Sequence, residues 1–531
     1  MQHGFESLAP PLVAIFLAIA TRRVVVPLAA GVLAGAFLLA HNDPPKTLLD
    51  SFGIFVATIY ASIADWDHIQ TLGFTLLLGA MIGVMEIGGG IEALIAKFSR
   101  RIRTRQNAQV MISLSGLAIF FDDYANTLLI GGTMRSTADR YKVSREKLAY
   151  LVDSTAAPVA GLSLISTWAA IEISYMSEGL VDAGITDRSA GFTLFIESIP
   201  YRFYPILALV MVFLTSATGR DFGPMRRAEL ASTTSSGSPA RAEATAATPT
   251  FPPRLWLAAV LSIAACVAGL MITLIVTGSQ SAALHAEASL LRRAIEILGN
   301  GEAYLALILG GGAGLVTAWV THATLGQCNI RSLCVGTMRG GWQMMPAMVI
   351  LWMAWALSAM TGPDGLHTGD YLSHVLSNRL DARALPTVVF VLAGLVAFAT
   401  GTSWGTMAIL TPLSVTLSLE LAPLDGPSGV ICLATAGSVL AGAILGDHCS
   451  PISDTTVLSS RACGCDHLEH VRTQMPYAIV VAVVGMGLGT IPAALGLSPW
   501  ICLILSTAAL AMIVRFFGSR LDEPLQRGSG G

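Results

Sequence analysis

One apolar stretch of the chain ends abruptly in charged and helix-breaking residues. Gly429–Leu445 could form most of a membrane-spanning helix, and the segment that follows, Gly446–Thr456, reads GDHCSPISDTT. A charged side chain at the bilayer centre costs about 2.5–3.5 kcal/mol on insertion scales, so it persists mainly where it lines a pathway or binds a ligand. Proline removes a helix hydrogen bond and frees carbonyl groups that can coordinate a cation. The segment therefore predicts an interrupted helix that carries an ion site.

The composition is that of a polytopic membrane protein. Only 12% of the 531 residues are charged, about half the share found in soluble domains, and 53% are hydrophobic. No basic cluster stands clear of the membrane flanks, so a nucleic-acid partner is not expected. Apolar spans recur along the whole chain. They are Leu8–Ala20, Val24–Ala40, Thr71–Gly88, Leu148–Ile173, Tyr201–Ala217, Leu255–Thr277, Glu302–Thr321, Trp342–Met360, Gly429–Ser460, Pro476–Leu495 and Trp500–Val514.

Two further apolar segments are broken by polar residues in the middle. Short cytoplasmic loops concentrate Lys and Arg, and this bias places His41–Gln70 in an outer loop. Ala108–Thr133 has basic loops on both sides, whereas Leu385–Leu419 ends in an acidic outer loop. A segment with both ends on one side has not crossed the membrane. Both segments are therefore predicted to be re-entrant hairpins, with tips near Phe121–Asn126 and Thr400–Thr406.

The same order of elements is predicted twice, in opposite orientations. Asp123–Ile130 and Ser403–Leu410 hold equivalent places in the two halves, and Asp153–Pro158 echoes Asp447–Pro451. Inverted repeats with broken helices are a recurrent plan of secondary transporters. The predicted fold class is an all-α polytopic membrane protein with an inverted-topology repeat, about 11 transmembrane helices, two re-entrant hairpins and interrupted helices. The repeats are assigned to residues 1–217 and 255–497, a cytoplasmic flexible linker to 218–254, and an extra C-terminal helix and tail to 498–531.

The two tips and the two interrupted helices are expected to converge on one site. Sodium is a hard cation that prefers about five or six oxygen ligands, from carboxylates, amides, hydroxyls and freed carbonyls. Sodium itself is expected at Asp123, Asn126, Asp447 and Asp454, and protons at Asp123, Asp454 and His448. The full set of candidates for binding the ion or substrate is Asp123, Asn126, Thr127, Asp153, Ser154, Thr402, Ser403, Thr406, Asp447, Ser450, Asp454 and Thr455.

Carboxylates in such a site can serve two ions. Burial raises the pKa of an unpaired carboxyl group, whereas a bound cation lowers it, so sodium and a proton compete for one group. That competition is enough to make an exchanger. Each residue also has a structural alternative: Asp123 and Asp454 could cap helices or pair with Arg, and Asp153 and Asp447 could cap the helix that resumes after them. His448 could be a hydrogen-bonded structural histidine.

The chain resembles the NhaC family of sodium/proton antiporters, within the ion transporter superfamily. The resemblance implies a multi-pass carrier of the bacterial inner membrane that exchanges sodium for protons by alternating access and uses no cofactor. Sodium, protons and bilayer lipid are then its partners, and related folds imply a homodimer. The matching segments are Leu8–Ile15 (LAPPLVAI), Phe121–Leu128 (FDDYANTL), Asp153–Pro158 (DSTAAP), Gly401–Thr406 (GTSWGT) and Gly446–Thr456 (GDHCSPISDTT).

The resemblance leaves the substrate open. Similar carriers couple sodium to small organic acids or amino acids, including malate/lactate exchange, and the hydroxyl-rich tip Thr402–Thr406 could bind a solute carboxylate. We expect no arginine inside the membrane to clamp a dicarboxylate, which favours the ion-only interpretation. Glu172 and His322 lie at the ends of spans and are expected to be exposed at the interface. An intramembrane aspartyl protease would need surroundings for Asp123 and Asp454 that the sequence lacks, so no enzyme is expected.

Overall fold

The described part of the chain is almost entirely helical. The computed structural model describes residues 4–21, 23, 25–41, 48–99, 102–187, 189–234, 252, 254–281, 301–325, 328–362, 364–368, 371, 374–375, 380–451 and 453–521. The first twelve helices are α1 (Ala9–Thr21), α2 (Val25–His41), α3 (Leu48–Ala64), α4 (Trp66–Ile87), α5 (Gly90–Ser99), α6 (Arg105–Ala118), α7 (Asp123–Arg140), α8 (Arg145–Ala160), α9 (Thr167–Asp182), α10 (Ala190–Ser198), α11 (Phe203–Thr218) and α12 (Gly223–Thr234). The others are α13 (Trp256–Ser281), α14 (Ala303–Thr324), α15 (Ile330–Gln343), α16 (Met345–Thr361), α17 (Leu385–Thr400), α18 (Ser403–Leu421), α19 (Val430–Cys449), α20 (Asp454–Cys463), α21 (His467–Gly485), α22 (Ile491–Ala494) and α23 (Pro499–Phe517).

Many of these helices can span a membrane. Within the described residues, eight are long and apolar enough, or nine if the bent pair Ala190–Tyr201 and Phe203–Thr218 forms one span. Three shorter apolar helices lie in the first 64 residues. One of them, α3, occupies the segment His41–Gln70 that was predicted to be an outer loop. Its Asp50 lies in the first helical turn, where the helix dipole favours a carboxylate, so that charge does not prevent a helix. The predicted all-α polytopic fold is confirmed.

The segments predicted to be hairpins and interrupted helices form pairs of helices; that the hairpins re-enter the membrane without crossing it stays a prediction. Helices α6 and α7 are joined by residues 119–122, and α17 and α18 by residues 401–402, at the predicted tips. Helix α8 is separated from α9 by residues 161–166, and α19 from α20 by residues 450–453. The proposed echo between Asp153–Pro158 and Asp447–Pro451 is out of register. Pro158 lies inside α8, whereas Pro451 lies in the interruption itself.

The same backbone contact joins a tip to a broken helix in each half. The N–H of Thr167, first in α9, donates to the carbonyl of Phe121 at 2.9 Å, and the N–H of Asp454, first in α20, donates to Gly401 at 3.3 Å. Ser166 and Ser453 cap these two helices with their hydroxyl oxygens. Helix α7 also packs against α20, and α18 packs against α9. An internal repeat would produce this correspondence; the division at residues 217, 254 and 497 stays a prediction.

Only part of the predicted linker 218–254 falls in the described region. Helix α12 begins inside it and ends at Thr234, and residues 235–251 and 253 lie outside the described residues. Glu229 of α12 is buried and accepts hydrogen bonds from the backbone N–H of Ser144 at 2.7 Å and from Gln109 Nε2 at 3.1 Å. Its carboxylate also pairs with Arg105. The start of the linker is therefore tied to the base of the first hairpin.

Helices α4 and α15 cross with their backbones in direct contact. Gly79 and Gly83 of α4 face Gly336 and Gly340 of α15, and a Cβ at Gly340 would lie 2.8 Å from the carbonyl carbon of Gly79 and 2.9 Å from the Cα of Gly83. Backbone atoms cannot move aside as a flexible side chain can. Small residues at spacing i, i+4 are a common way for membrane helices to approach closely.

We expect Gly340→Ala to separate these two helices and to destabilise the protein by about 1–3 kcal/mol, the usual cost of overpacking. Gly341→Ala is the matched control, because its Cβ would meet only Leu76 Cδ2, at 3.7 Å. The measurement is the midpoint temperature at which each detergent-solubilised variant ceases to be monodisperse. Equal midpoints for the two variants would contradict the close crossing.

Candidate functional site

The first hairpin tip carries two adjacent carboxylates with different environments. Asp122 caps α7: its Oδ1 accepts from the N–H of Ala125 at 2.7 Å, and its Oδ2 accepts from Thr167 Oγ1 at 3.1 Å. Asp123 is 1% exposed, neither of its oxygens makes a close hydrogen bond, and the Trp168 N–H is a donor near it. A buried polar atom without a partner costs about 1–3 kcal/mol. Asp122 is thus committed to the structure of the tip, and Asp123 is open to a ligand.

Asn126 lies one helical turn after Asp122 and also presents a free oxygen. Its Nδ2 donates to the carbonyls of Gly116 at 2.8 Å, Ile119 at 3.0 Å and Thr155 at 3.3 Å. These three acceptors fix the orientation of the amide, because only the NH2 group can donate. The opposite atom, Oδ1, is buried and has no partner. Asp123 and Asn126 therefore contribute three unpaired oxygens within one turn of α7.

The second tip contains unpaired hydrogen-bond donors. Thr402 caps α18, and Thr406 Oγ1 donates back to the carbonyl of Thr402 at 2.9 Å. Ser403 Oγ and Trp404 Nε1 are buried without a partner. The Trp404 ring meets Trp168 of α9 edge-on, at 5.5 Å between centroids, and the Trp168 N–H is near Asp123 of the first tip. Since Trp168 adjoins the first tip through Thr167, the two tips approach each other across this pair of indoles.

The second broken helix holds one acid that is satisfied by hydroxyls and one that is accessible. Asp447 is fully buried; Ser453 Oγ donates to its Oδ1, and Thr455 Oγ1 donates to its Oδ2 at 2.7 Å. Asp454 begins α20, is exposed, and accepts a hydrogen bond from Tyr124 OH at 2.5 Å. Its charge lies close enough to interact with those of Asp123 and Asp447. Asp454 therefore connects the first tip with the second interruption.

Asp153 and His448 belong to a neighbouring polar network. Asp153 Oδ2 accepts from Gln474 Nε2 at 2.6 Å, and Thr456 Oγ1 is 3.5 Å away. The same Gln474 amide donates to the carbonyl of His448 at 3.1 Å. His448 Nδ1 is 3.0 Å from Tyr204 OH, while its Nε2 is buried without a partner. Asp153 and His448 thus meet at α21 rather than at the tips.

The remaining candidates are buried around these groups. Thr127 and Ser154 are buried, with 1% and 3% exposure. Ser450 Oγ donates to the carbonyl of Phe398 at 2.7 Å, which ties the second interruption to α17. Ser450 and Thr455 therefore support the interruption through hydrogen bonds, whether or not they also contact a solute.

One buried arginine bears on the prediction that no arginine inside the membrane clamps a dicarboxylate. Arg202 is 0% exposed, its Nη1 lies 2.7 Å from Glu172 Oε2, and it donates to the carbonyl of Gly161 in the first interruption. Glu172 and His322 are likewise buried, at 2% and 0% exposure, rather than interfacial. Glu172 is buried because Arg202 neutralises it. The arginine braces the broken helix and is already paired, so it is not a free clamp for a dicarboxylate.

The fold brings several residues into the site that were not predicted from the sequence. A single aromatic, amide or histidine side chain gives no signal in the sequence that distinguishes a site residue from a structural one. In the described region, no group of three His, Cys, Asp and Glu side chains is arranged to hold a metal ion. The free oxygens at the first tip, from a carboxylate and an amide, suit a hard cation. The residues passed over are Tyr124, Trp168, Trp404, His470 and Gln474.

Comparison with known proteins places the chain among membrane antiporters. A family model described as "Na+/H+ antiporter family" matches residues 159–491. An uncharacterized protein of Haemophilus influenzae is 32% identical over 479 residues, covering 90% of this chain and 88% of that protein. Two other matches are local. An arginine/ornithine antiporter of Halobacterium salinarum is 36% identical over 19% of this chain and 21% of that protein. A malate-2H+/Na+-lactate antiporter of Bacillus subtilis is 34% identical over 18% of this chain and 19% of that protein.

A solved structure shares the fold. The YdaH transporter of Alcanivorax borkumensis superposes with a TM-score of 0.56 at 14% identity, over 96% of this chain and 98% of its own. At this identity the likeness concerns the fold alone. The family match and the relatives confirm the predicted resemblance, and they identify a transporter rather than an enzyme. The chain is a multi-pass membrane protein that belongs to the Na+/H+ antiporter family.

Proposed function

We propose that the protein exchanges sodium ions for protons and that sodium binds at the first hairpin tip. The observation that carries the proposal is the group of three buried, unpaired oxygens on Asp123 and Asn126. A buried carboxylate and amide oxygen that make no close hydrogen bond are stabilised by a cation, or by a proton on the carboxylate. A single group that holds either ion, but not both, couples the two fluxes.

The surrounding elements are consistent with alternating access. Both tips and both interruptions meet at backbone hydrogen bonds that a movement of the hairpins would have to break, those from Thr167 to Phe121 and from Asp454 to Gly401. Asp454 is exposed while Asp123 is buried, so the two carboxylates differ in their access to water. Asp447 and Asp454 stay candidates for a further sodium contact. The homodimer implied by the resemblance also stays a prediction.

The test uses purified protein in liposomes that contain a pH-sensitive dye. Sodium chloride is added outside, with no organic solute present, and choline chloride at the same concentration serves as the control. We expect prompt internal alkalinisation with sodium only, because inward sodium movement drives protons out. No response to sodium, followed by a response once amino acids or organic acids are supplied, would contradict the ion-only exchange.

A second candidate function is sodium-coupled transport or exchange of a small organic acid or amino acid. It is favoured by the buried, unpaired donors Ser403 Oγ and Trp404 Nε1, which could bind a solute carboxylate. The names of the local relatives, an arginine/ornithine antiporter and a malate/lactate antiporter, point to the same class. The liposome experiment separates the two functions, since only the second requires an added solute.

A further inference from the structure

We propose that His467, Ser460 and His470 form a proton path from the inner face of the membrane to Asp153. None of these three residues was a candidate in the sequence analysis. The assignment rests on the proposed exchange of sodium for protons, and it separates the tasks of two acids. Asp123 lies at the cation site, whereas Asp153 receives protons through a route of its own.

The path is a continuous chain of short contacts. His470 Nε2 lies 3.8 Å from Asp153 Oδ2, and its Nδ1 lies 2.9 Å from Ser460 Oγ. The same hydroxyl lies 3.2 Å from His467 Nδ1. His470 and Ser460 are buried, whereas His467 is partly exposed. The chain therefore leads from an accessible imidazole to a carboxyl group with 1% exposure.

When both rings are neutral, the Ser460 hydroxyl faces more acceptors than it has hydrogens. His470 Nε2 lies 2.9 Å from Gln474 Oε1, and His467 Nε2 lies 2.6 Å from the carbonyl of Pro451. The Gln474 NH2 group donates to Asp153 and to the His448 carbonyl, so its oxygen faces His470 and can only accept. The Pro451 carbonyl likewise only accepts. Each Nε2 therefore carries the hydrogen of its neutral ring. Both Nδ1 atoms then present lone pairs to Ser460.

Ser460 cannot satisfy both imidazoles at once. Its hydroxyl has a single hydrogen, and the carbonyl of Thr456, 2.7 Å away, also accepts from it. One added proton corrects the deficit, because a charged ring donates its Nδ1–H to the hydroxyl oxygen. The excess proton can reside on either ring, because the network makes nearly the same hydrogen bonds in the two cases. This is the property required of a relay rather than of a fixed structural hydrogen bond.

The exposed end of the path lies on the basic side of the protein. Arg461 and Arg472 flank His467 in sequence, and Arg145 and Arg135 from the basic loops of the first hairpin donate to carbonyls at the end of α20. Basic loops mark the cytoplasmic face. The groups that face His470 are Asp153 and Glu146 of α8, His448 of α19, and Ser459, Ser460, His467 and Gln474 of α20 and α21. Asp466 and Glu469 lie beside His467 in the first turn of α21.

The transfer conserves protons at each step. His467 takes up a proton at Nδ1, the ring nitrogen that carries no hydrogen, and passes it to Ser460 Oγ as the hydroxyl hydrogen moves to His470 Nδ1. His470, now charged, releases its Nε2 hydrogen to Asp153 Oδ2 once rotation of the side chain closes the 3.8 Å gap. The rings are then neutral again, with His470 in the other tautomer, and ring reorientation restores the starting arrangement.

Ser460→Ala tests the path with little change in shape, because it removes only the shared hydroxyl. His467→Gln is the second variant, at a partly exposed position where folding is tolerant. Ser459→Ala is the matched control: Ser459 is the adjacent buried serine and also donates to the carbonyl of Thr456, but it approaches only His470, at 3.4 Å. Two rates are measured in liposomes for each variant. They are sodium-driven proton movement between pH about 5 and 8, and exchange of isotopic sodium for sodium at equal pH on both sides.

We expect Ser460→Ala and His467→Gln to slow sodium-driven proton movement at least about tenfold, as loss of a proton-transfer group does. Sodium/sodium exchange should be unchanged, since it needs no proton, and Ser459→Ala should stay within about twofold of the unaltered protein in both assays. Normal proton movement in the two variants, or equal loss of both exchanges, would overturn the path. If the unaltered protein moves sodium in neither assay, the proposed sodium/proton exchange is itself wrong. Failure of the path alone leaves both rates of the unaltered protein intact, so the two outcomes are distinguishable.

Discussion

Replacing Asp123 by Asn should lower the rate of sodium-driven proton movement at least about 100-fold while leaving the amount of protein in the membrane unchanged. A unit charge about 4 Å from sodium contributes about 4 kcal/mol at an effective dielectric constant of about 20, and 1.4 kcal/mol corresponds to a tenfold change. The folded state should tolerate the substitution, because neither oxygen of Asp123 makes a close hydrogen bond and the asparagine amide still offers an acceptor oxygen to the nearby Trp168 N–H. The measurement is the initial rate of internal pH change per reconstituted protein.

Asp122→Asn provides the matched control for Asp123→Asn. The amide oxygen of an asparagine can still cap α7 by accepting from the N–H of Ala125, so the tip should keep its shape. We expect this variant to retain exchange within about fivefold, since no direct charge–cation contact is lost. Normal exchange by Asp123→Asn would remove that residue from the site. Equal loss in the two variants would show that the tip needs its total charge rather than a specific ligand.

Arg202→Met is expected to destabilise the protein by about 3–5 kcal/mol, because it leaves the carboxylate of Glu172 buried without its partner. The substitution also removes the donors that hold the carbonyl of Gly161 and the hydroxyl of Ser198, the latter at 3.1 Å. The first interruption would then lose its brace. The measurement is the thermal midpoint of the detergent-solubilised protein, together with its abundance in the membrane.

An exposed arginine on the same protein serves as the control for Arg202→Met. Arg472 is paired with Glu469 at 3.2 Å, but its side chain is 60% exposed. Exposed pairs contribute about 0–1 kcal/mol, so Arg472→Met should leave the midpoint nearly unchanged. The double variant Arg202→Met/Glu172→Met should recover part of the lost stability, since it removes the unpaired charge. A single Arg202→Met variant as stable as the unaltered protein would contradict the bracing role.

The hairpin tips could be located from sequence because charge and hydropathy are local signals. Basic loops on both sides of Ala108–Thr133 predicted a segment that does not cross, and the helix ends at residues 118 and 400 lie close to the predicted tips. Helix α3 was missed by the same reasoning. Its few polar residues, together with the acidic residues that surround it, made an apolar helix resemble a loop.

The partners of the buried polar groups could not be predicted in the same way. Asp122 and Asp123 are neighbours of the same type, and sequence alone gives no basis for deciding which one caps the helix. Arg202 stands at the start of an apolar span, and only its contact with Glu172, 30 residues earlier in the chain, explains why it is buried. Hydrogen-bond partners that are distant in sequence leave no periodic pattern to recognise.

The sequence by itself determined that this chain is a polytopic membrane protein with broken helices and intramembrane acids, since the cost of charge and of unpaired backbone in lipid restricts where such residues occur. Its motifs also indicated the antiporter family to which the chain belongs. The tertiary structure alone decided which oxygens stay free and which are satisfied. It left Asp123 without a close hydrogen bond, surrounded Asp447 with hydroxyls, and placed Asp153 beside His470, more than 300 residues away in the chain. The physical reason is that a buried polar atom stays free only if no partner lies within reach. Which partners lie within reach depends on the packing of the whole chain.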